Sequence, residues 1–391
     1  MSQVPEMSLA RLERLDERLS AHLDARSTSR DNAWPFCAAA FESPSADTAF
    51  VAMVRCVEDQ AAERVERVLA VAEAEPAMVP GVIAALGWVE RIQLRGLVAD
   101  MLASAEPFRR LIGVAACAVH RVDPGIKRLW RVYETDGRVR ARVLRTAGEL
   151  GLVELSHICA EQAHSEDPHG AFWAARSAAL LGDRSRDLHG LARIAGTAGP
   201  FRRRAFAQLI QAMDPPAAHQ MLQRLASESA DAGWLIYGSG LAGCPDYVPW
   251  LITQMQSETT ARVAAEAFSL ITGADLSALG FEASQPPAFE PGPNDDPDDP
   301  HVEMDPDEGL PWPDVAKIET WWAANASRFR NGTRYFMGAP VTRDHCIDVL
   351  KTGYQRQRIL AAHYLCLLEP GTPLFNTSAP AWRQQRWLAK M

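Results

Sequence analysis

A repeat with a period near thirty residues constrains this fold more than any other sequence feature. From about residue 78 to 276, segments with helical apolar spacing end in short turns, and a second helical segment follows each turn. The turns are spaced 29 to 32 residues apart and fall at Asp123, Val153, Asp183, Asp214, Asp246 and Asp275. Each repeat therefore predicts a helical hairpin, and stacked hairpins with Ala-rich faces can bury a continuous core.

The turn residues support this interpretation. In Asp123-Pro124 and Asp214-Pro215 the carboxylate can cap the next helix, while proline occupies a position where no N–H is needed. Glycines at four turns suit left-handed helix ends: Gly87, Gly151, Gly182 and Gly273. The alternative, a row of aspartate ligands for a metal or substrate, is less favoured because capping explains the Asp-Pro pairs by itself.

The period is shorter than the ~40–47 residues of ordinary HEAT or armadillo units and the ~33–34 of ankyrin or TPR units. The ankyrin and TPR consensus motifs are absent as well. The repeats resemble the short, Ala-rich HEAT-like repeats related to those of phycobilisome lyases. We therefore expect an all-α fold, a HEAT-like helical-hairpin solenoid (an alpha-alpha superhelix) with capping helices.

Composition divides the chain into four segments. Residues 1–77 predict an N-terminal helical cap, and residues 78–276 the repeats. Residues 277–314 are acidic and Pro-rich and predict a flexible, disordered insertion, whereas residues 315–391 predict a helical hairpin and a closing helix. The net charge is −9, yet residues 277–316 hold eleven acids and no Lys or Arg, and residues 317–391 are basic. A calcium loop is less favoured for the insertion, because its prolines break the alternating ligand spacing.

Motifs for catalysis and for cofactors are missing. We find no phosphate-binding or dinucleotide-binding glycine motif, no G-x-S-x-G and no H-E-x-x-H in a suitable context. The seven cysteines lie far apart with no C-x-x-C pair, and residues 1–20 contain no hydrophobic signal region. We therefore expect a cytoplasmic protein that is not an enzyme, with no cofactor, no metal and no membrane span.

Arginine clusters are the main surface feature of the repeats. Arg138, Arg142 and Arg145 share a helical stripe with Glu149, and Arg202 and Arg203 begin a later repeat. Because cations are mildly unfavourable at helix N-termini, something else must favour them there. We weigh a solvated face with ion pairs between repeats against a basic ridge for an acidic partner or for the chain's own residues 290–308.

Three tryptophans are candidate anchors for a partner: Trp312, Trp321 and Trp322. The adjacent pair Trp321-Trp322 also fits buried packing for at least one of its members. Together with Arg138, Arg142, Arg145, Arg202 and Arg203, these residues form the candidate partner-binding set.

A family resemblance rests on three stretches: LARLERLDERLSAHLD at 9–24, LPWPD at 310–314 with Trp321-Trp322, and the long segment 334–389 that begins RYFMGAPVTRDH. They resemble an uncharacterised family of bacterial HEAT-repeat-like proteins often encoded beside type VI secretion genes. The resemblance implies a cytoplasmic adaptor or chaperone for an effector or spike protein, with no known catalytic residues. The short lead before Leu9 departs from the longer N-terminal extension of that family.

These features favour a non-catalytic scaffold that binds a protein partner, such as a secretion effector or spike component. The alternative is a HEAT-like nucleic-acid-binding or repair enzyme. The net charge of −9 opposes that alternative, since affinity for phosphates depends on a dense basic surface.

Overall fold

The fold is all-α. The computed structural model describes residues 7–27, 33–133, 136–184, 188–227, 231–287, 289, 305 and 307–391. About 70% of the described residues are helical, and they form 21 α-helices and several short 3₁₀ turns. Within the described ranges the strands are limited to one two-residue antiparallel pair, Tyr335–Phe336 (β1) and Ala339–Pro340 (β2). Most of the acidic insertion expected to be flexible lies outside the described residues.

The chain divides into two compact units. The terminal unit comprises residues 8–191 and 365–391, and the central unit comprises residues 192–364 together with Met7. The sequence instead suggested that residues 315–391 would form one segment. The boundaries fall inside the helices Leu188–Gly196 (α12) and Gln355–Leu368 (α20).

The helices of the terminal unit are α1 Leu9–Ser27, α2 Ala33–Ala39, α3 Ala46–Glu58, α4 Ala62–Ala74, α5 Val79–Trp88, α6 Leu97–Ala103, α7 Pro107–Val119, α8 Ile126–Tyr133, α9 Gly137–Leu150, α10 Ser156–Gln162, α11 Pro168–Leu180 and α21 Ala381–Leu388. Those of the central unit are α13 Arg202–Ala212, α14 Pro215–Ser227, α15 Ala232–Ala242, α16 Val248–Gln254, α17 Ala261–Thr272, α18 Val315–Asn325 and α19 Arg343–Thr352. Short 3₁₀ turns occupy Ala40–Glu42, Pro76–Met78, Arg91–Leu94, Val153–Leu155, Pro245–Tyr247 and Ala326–Arg328.

Alternate helices along the chain form a row, and each helix of a row packs on the next helix of that row. In the terminal unit this row is α3, α5, α7, α9 and α11, and in the central unit it is α13, α15 and α17. The intervening helices lie against the row, for example α10 on α11 and α16 on α17. Small residues allow close approach: a Cβ added at Gly148 of α9 would lie 2.8 Å from Ser177 Cβ of α11, and one at Gly240 of α15 would lie 2.9 Å from Ala267 Cα of α17.

Local chemistry sets the helix ends, with some departures from expectation. Asp214 caps α14 by accepting the Ala217 N–H, as predicted. Asp123 does not cap α8, because its carboxylate accepts the Gly125 N–H before the helix begins. Gly87 lies inside α5, so the prediction of a left-handed end there is wrong. Within the predicted N-terminal cap, α3 and α4 are separate helices divided at Gln60, whose φ is +54°.

Two glycines that end helices of the central unit make contacts that the repeat pattern does not predict. In the central unit, Gly243 ends α15 and Gly273 ends α17, both with φ near +70°. Segment 334–338, which contains β1 and the turn that follows it, runs across these ends: the Tyr335 N–H donates to Gly243 O, and the Gly338 N–H donates to Ile271 O. We call segment 334–338 the central strap.

Arg334 of the central strap bonds helix carbonyls directly. Its guanidinium donates to the carbonyl oxygens of Ile210 (3.0 Å) and Gln211 (2.8 Å) in α13 and of Ala242 (3.1 Å) in α15. The last carbonyls of a helix have no partner within it and carry negative partial charge. One cation therefore satisfies the ends of two neighbouring helices.

Residues 365–391 make similar contacts in the terminal unit. Arg121 donates to Pro373 O, the Leu374 N–H donates to Glu149 O, and Arg184 donates to Ala179 O and Leu367 O. Arg383 of α21 donates to the carbonyls of Gly87 and Val89 at the end of α5. These contacts explain why the C-terminal segment belongs to the same compact unit as the first helices.

Among the described ranges, no single helix is both long and apolar enough to cross a membrane. Helix α4 and the Pro76–Trp88 segment meet that length and composition only as a pair, across a bend of 120°.

The central strap predicts an asymmetry between two glycines with the same backbone conformation. Gly243 and Gly280 both have φ of +66°, but a Cβ at Gly243 would collide with Tyr335 O, whereas one at Gly280 meets nothing within 4 Å. We expect Gly280→Ala to lower the free energy of unfolding by about 1 kcal/mol, the cost of a left-handed alanine. Gly243→Ala should cost about 3 kcal/mol or more, because it adds overpacking. Urea denaturation of both variants measures the difference, and equal losses would contradict contact with the strap.

Candidate protein-binding surface

The three row helices of the central unit begin side by side. The central strap joins the C-terminal ends of α13, α15 and α17, so their N-terminal ends lie together at the opposite side of this row. Arg202 and Arg203 begin α13, Trp234 and Tyr237 lie in the first two turns of α15, and Arg262 is the second residue of α17. We call these five residues the N-terminal surface.

Arginine and aromatic side chains alternate across the first part of this surface. The Arg202 guanidinium carbon lies 4.7 Å from the Trp234 ring centroid, and that of Arg203 lies 4.3 Å from the Tyr237 ring centroid. Buried Phe206 packs edge-on against Trp234 at 5.2 Å. Cation–π attraction offsets the unfavourable helix dipole at these positions, which accounts for arginines at a helix start.

Arg262 forms the third part of the surface and is bound by the chain's own acidic segment. Its Nη1 and Nη2 atoms donate to the two carboxylate oxygens of Asp305 at 2.7 and 3.0 Å, and Nη1 also donates to Asp307 O at 3.0 Å. The ring centroids of Phe289 and Trp312 lie 4.7 and 4.9 Å from the guanidinium carbon. Only 8% of Arg262 is exposed, and these four groups come from the segment between α17 and α18.

The two ends of that segment are joined at its base. Glu282 and Pro313 form an antiparallel bridge, the Ala283 N–H donates to Trp312 O, and the Asp314 N–H donates to Phe281 O. This pairing positions Trp312 beside Arg262. The predicted flexible insertion is thus ordered at its described ends.

Electrostatics differ between the two aspartates. The hydrogen bonds from Arg262 hold the pKa of Asp305 below its ordinary value. Burial raises the pKa of Asp307, although Arg262 and Arg203 both act in the opposite direction. Burial also raises the pKa of Tyr237, against the influence of Arg203. The Asp307 carboxylate therefore interacts electrostatically with an arginine of α13 and an arginine of α17.

The predicted arginines of α9 lie in the terminal unit and have different roles. Arg138 is exposed near Asp136, whereas Arg142 is buried and donates to both Thr146 and Glu149. Arg145 also pairs with Glu149, at 2.7 Å. Both alternatives for this stripe, a solvated face with ion pairs and a basic ridge, place Arg142 at the surface; that placement is corrected, because Arg142 is buried in an ion pair with Glu149.

The predicted tryptophans also separate. Trp312 contacts Arg262 as described, but Trp321 packs edge-on against buried Phe268 at 5.7 Å, and Trp322 lies 5.3 Å from Phe329. Both members of the pair are partly buried against the core of the central unit. Their packing explains their presence without a partner.

The sequence reasoning missed Arg262, Trp234 and Tyr237. The repeat register could have indicated Arg262. It stands eleven residues before the turn glycine Gly273, the same distance that separates Arg140 from the turn glycine Gly151. Asp305 was included only within an acidic run and was not singled out.

Within the described ranges, no group of three or more His, Cys, Asp or Glu side chains could hold a metal ion. Comparison of the chain with protein-family models, with curated proteins and with solved structures gives no match.

A double-mutant cycle between Arg262→Gln and Asp305→Asn should reveal a coupling energy of about 2 kcal/mol in the free energy of unfolding, because both side chains are about nine-tenths buried. The matched control is Arg386 with Glu90, a 3.1 Å pair whose side chains are 65% and 50% exposed. That cycle should give at most about 0.5 kcal/mol. Equal couplings would mean that the Arg262 contact is an ordinary surface ion pair.

Glu149 allows a test of pH dependence. Burial raises its pKa, but Arg142 and Arg145 outweigh burial and hold the pKa below its ordinary value. Its stabilisation is therefore present above the pKa of the unfolded chain and is lost as pH falls through the folded-state pKa. Glu149→Gln should cost about 3 kcal/mol at neutral pH and clearly less at about pH 3.5. Urea denaturation at both pH values measures the loss in free energy of unfolding. A loss that is the same at both would contradict the ion pair.

Proposed function

We propose that this chain is a non-catalytic scaffold whose N-terminal surface binds a protein partner. The observation that carries the proposal is the alternation of arginine and aromatic side chains at the starts of α13, α15 and α17. Arg, Trp and Tyr dominate the binding energy of protein interfaces, because they combine a large contact area with directional polar groups. Arg203 is exposed, and Arg202, Trp234 and Tyr237 are half-buried, so their packing holds them in place for contact.

We further propose that each row of helices is a HEAT-like array. The support is the order of packing, in which every second helix contacts the next and a shorter helix lies against it. Repeats of this kind offer side chains from the same position of successive helices to one ligand. The N-terminal surface has this property, since Arg203 of α13 and Arg262 of α17 are each the second residue of their row helix.

The resemblance of segments 9–24, 310–314 and 334–389 to proteins encoded beside type VI secretion genes suggests the biological setting. We propose an adaptor or chaperone in the cytoplasm that holds a secretion effector or spike component. The resemblance assigns no catalytic residue, and no cofactor enters the proposed role.

Affinity purification from a bacterial strain with an active type VI secretion system tests the proposal. The wild-type chain should recover a stable partner, and Arg203→Glu should lose most of it, because the reversed charge faces the same binding surface. Arg343→Glu is the matched control: Arg343 is exposed in the first turn of α19, which contacts the central strap through His345 and Phe336 O, at the opposite end of the row helices. This control should retain the partner.

Two results would contradict the proposal. One is recovery of no partner by the wild-type chain. The other is salt-sensitive binding of DNA that Arg203→Glu abolishes, which would favour the nucleic-acid-binding alternative.

A further inference from the structure

We propose that Arg262 and its neighbours on the N-terminal surface form a binding site for an aspartate-containing acidic segment of a partner protein, and that the chain's own Asp305 occupies this site as an internal competitor. The inference rests on the proposed function and specifies the chemistry of the partner. It starts from the contacts that residues 305–312 make with α17.

The internal segment shows what the site recognises. A carboxylate binds Arg262 through two parallel hydrogen bonds, an arrangement that the planar guanidinium favours and an ammonium group cannot reproduce. The carbonyl of the residue two positions later adds a third hydrogen bond, and an aromatic ring seven positions later covers the guanidinium. These contacts specify an aspartate at the first position and an aromatic residue seven positions later, as in Asp305 and Trp312, while the third position is recognised through its backbone carbonyl.

Asp305 and residues 307–310 hold this shape through their own hydrogen bonds. The Asp307 N–H donates to the Asp305 carboxylate, the Glu308 N–H donates to Asp305 O, and the Leu310 N–H donates to Asp307 O. Because these hydrogen bonds lie within the segment, a short peptide of this sequence contains the donors and acceptors of the same turn. A partner segment with the same spacing can therefore present the same groups.

The internal segment is also an incomplete ligand. Arg262 Nε is buried and has no hydrogen-bond partner among the described residues. A buried donor without an acceptor weakens the bound state. In addition, Asp307 lies beside the charge of Arg203 as well as that of Arg262, yet among the described residues no hydrogen bond to its carboxylate is seen. A partner that satisfies these groups better can displace residues 305–312.

Charge favours an acidic partner at this place. Arg202 and Arg203 at the start of α13 and Arg262 at the start of α17 contribute three positive charges, while Asp305 and Asp307 contribute two negative charges. Displacement of the internal segment would leave three arginines facing the incoming chain. A neutral or basic segment gains nothing from them.

A competition experiment tests the inference without knowledge of the natural partner. The probe is a fluorescein-labelled, terminally blocked peptide with the sequence of residues 305–312, and fluorescence anisotropy measures its binding to the full chain. The wild-type chain should bind weakly, because its own Asp305 occupies Arg262. Asp305→Asn weakens the internal competitor and should bind the peptide roughly tenfold more tightly, since apparent affinity scales with the open fraction of sites.

The controls separate recognition from loss of folding. In the Asp305→Asn background, Arg262→Lys retains a charge but loses the two-pronged contact, and it should weaken binding at least about tenfold. A peptide in which the first aspartate is replaced by asparagine should fail to bind, and this control leaves the protein unchanged. Thermal melts of each variant confirm that the chain is folded.

Specific results would overturn the inference. They are equal peptide binding by the wild-type and Asp305→Asn chains, or binding that survives loss of the first aspartate. A wild-type chain that dimerises through Arg262 would also overturn it, since a second copy would then supply the acidic segment. Failure of the peptide to bind either chain would overturn this inference. It would not affect the proposed function, which is tested by partner capture that depends on Arg203.

Discussion

The carbonyl groups at the C-terminal ends of the row helices impose the constraint on which the rest of this structure depends. Each helix leaves its last carbonyls without a partner inside the helix. In the central unit, Arg334 and the backbone of the central strap supply the missing donors for α13, α15 and α17. In the terminal unit, Arg383 supplies donors for α5, and the Leu374 N–H does so for α9. Glycine at the helix ends lets these segments approach.

Because the central strap covers one end of its row, the opposite end is the one at which the row helices leave their terminal turns uncovered by the strap. There the helix N–H groups repel cations, and yet the chain places Arg202, Arg203 and Arg262 at these starts. Their aromatic neighbours and the Asp305 carboxylate compensate for that repulsion. The same groups that stabilise the arginines are the basis for the ligand that we propose, an acidic segment that carries an aromatic residue. Structure and proposed function therefore depend on the same contacts.

The sequence predicted the helical content and much of the turn chemistry, because both are local. The Asp214 cap and the left-handed glycines at 151 and 273 follow from residue type and spacing alone. Contacts between distant residues were not predictable in this way. Arg334 bonds carbonyls more than ninety residues earlier in the chain, and Arg262 and Asp305 are 43 residues apart. Arg142 shows the related difficulty that a helical stripe does not reveal which of its charges is buried.

The sequence predicts only part of the candidate site, because the rest depends on contacts between distant residues. Arg202 and Arg203 stand out as a cluster, whereas Trp234 and Tyr237 become part of the surface only when α13 packs beside α15.

Hydrogen–deuterium exchange of the chain with and without its captured partner tests the central claim most directly. The account predicts slower exchange on binding in the first turns of α13, α15 and α17. Unchanged exchange in those turns, with protection confined to other helices, would contradict it.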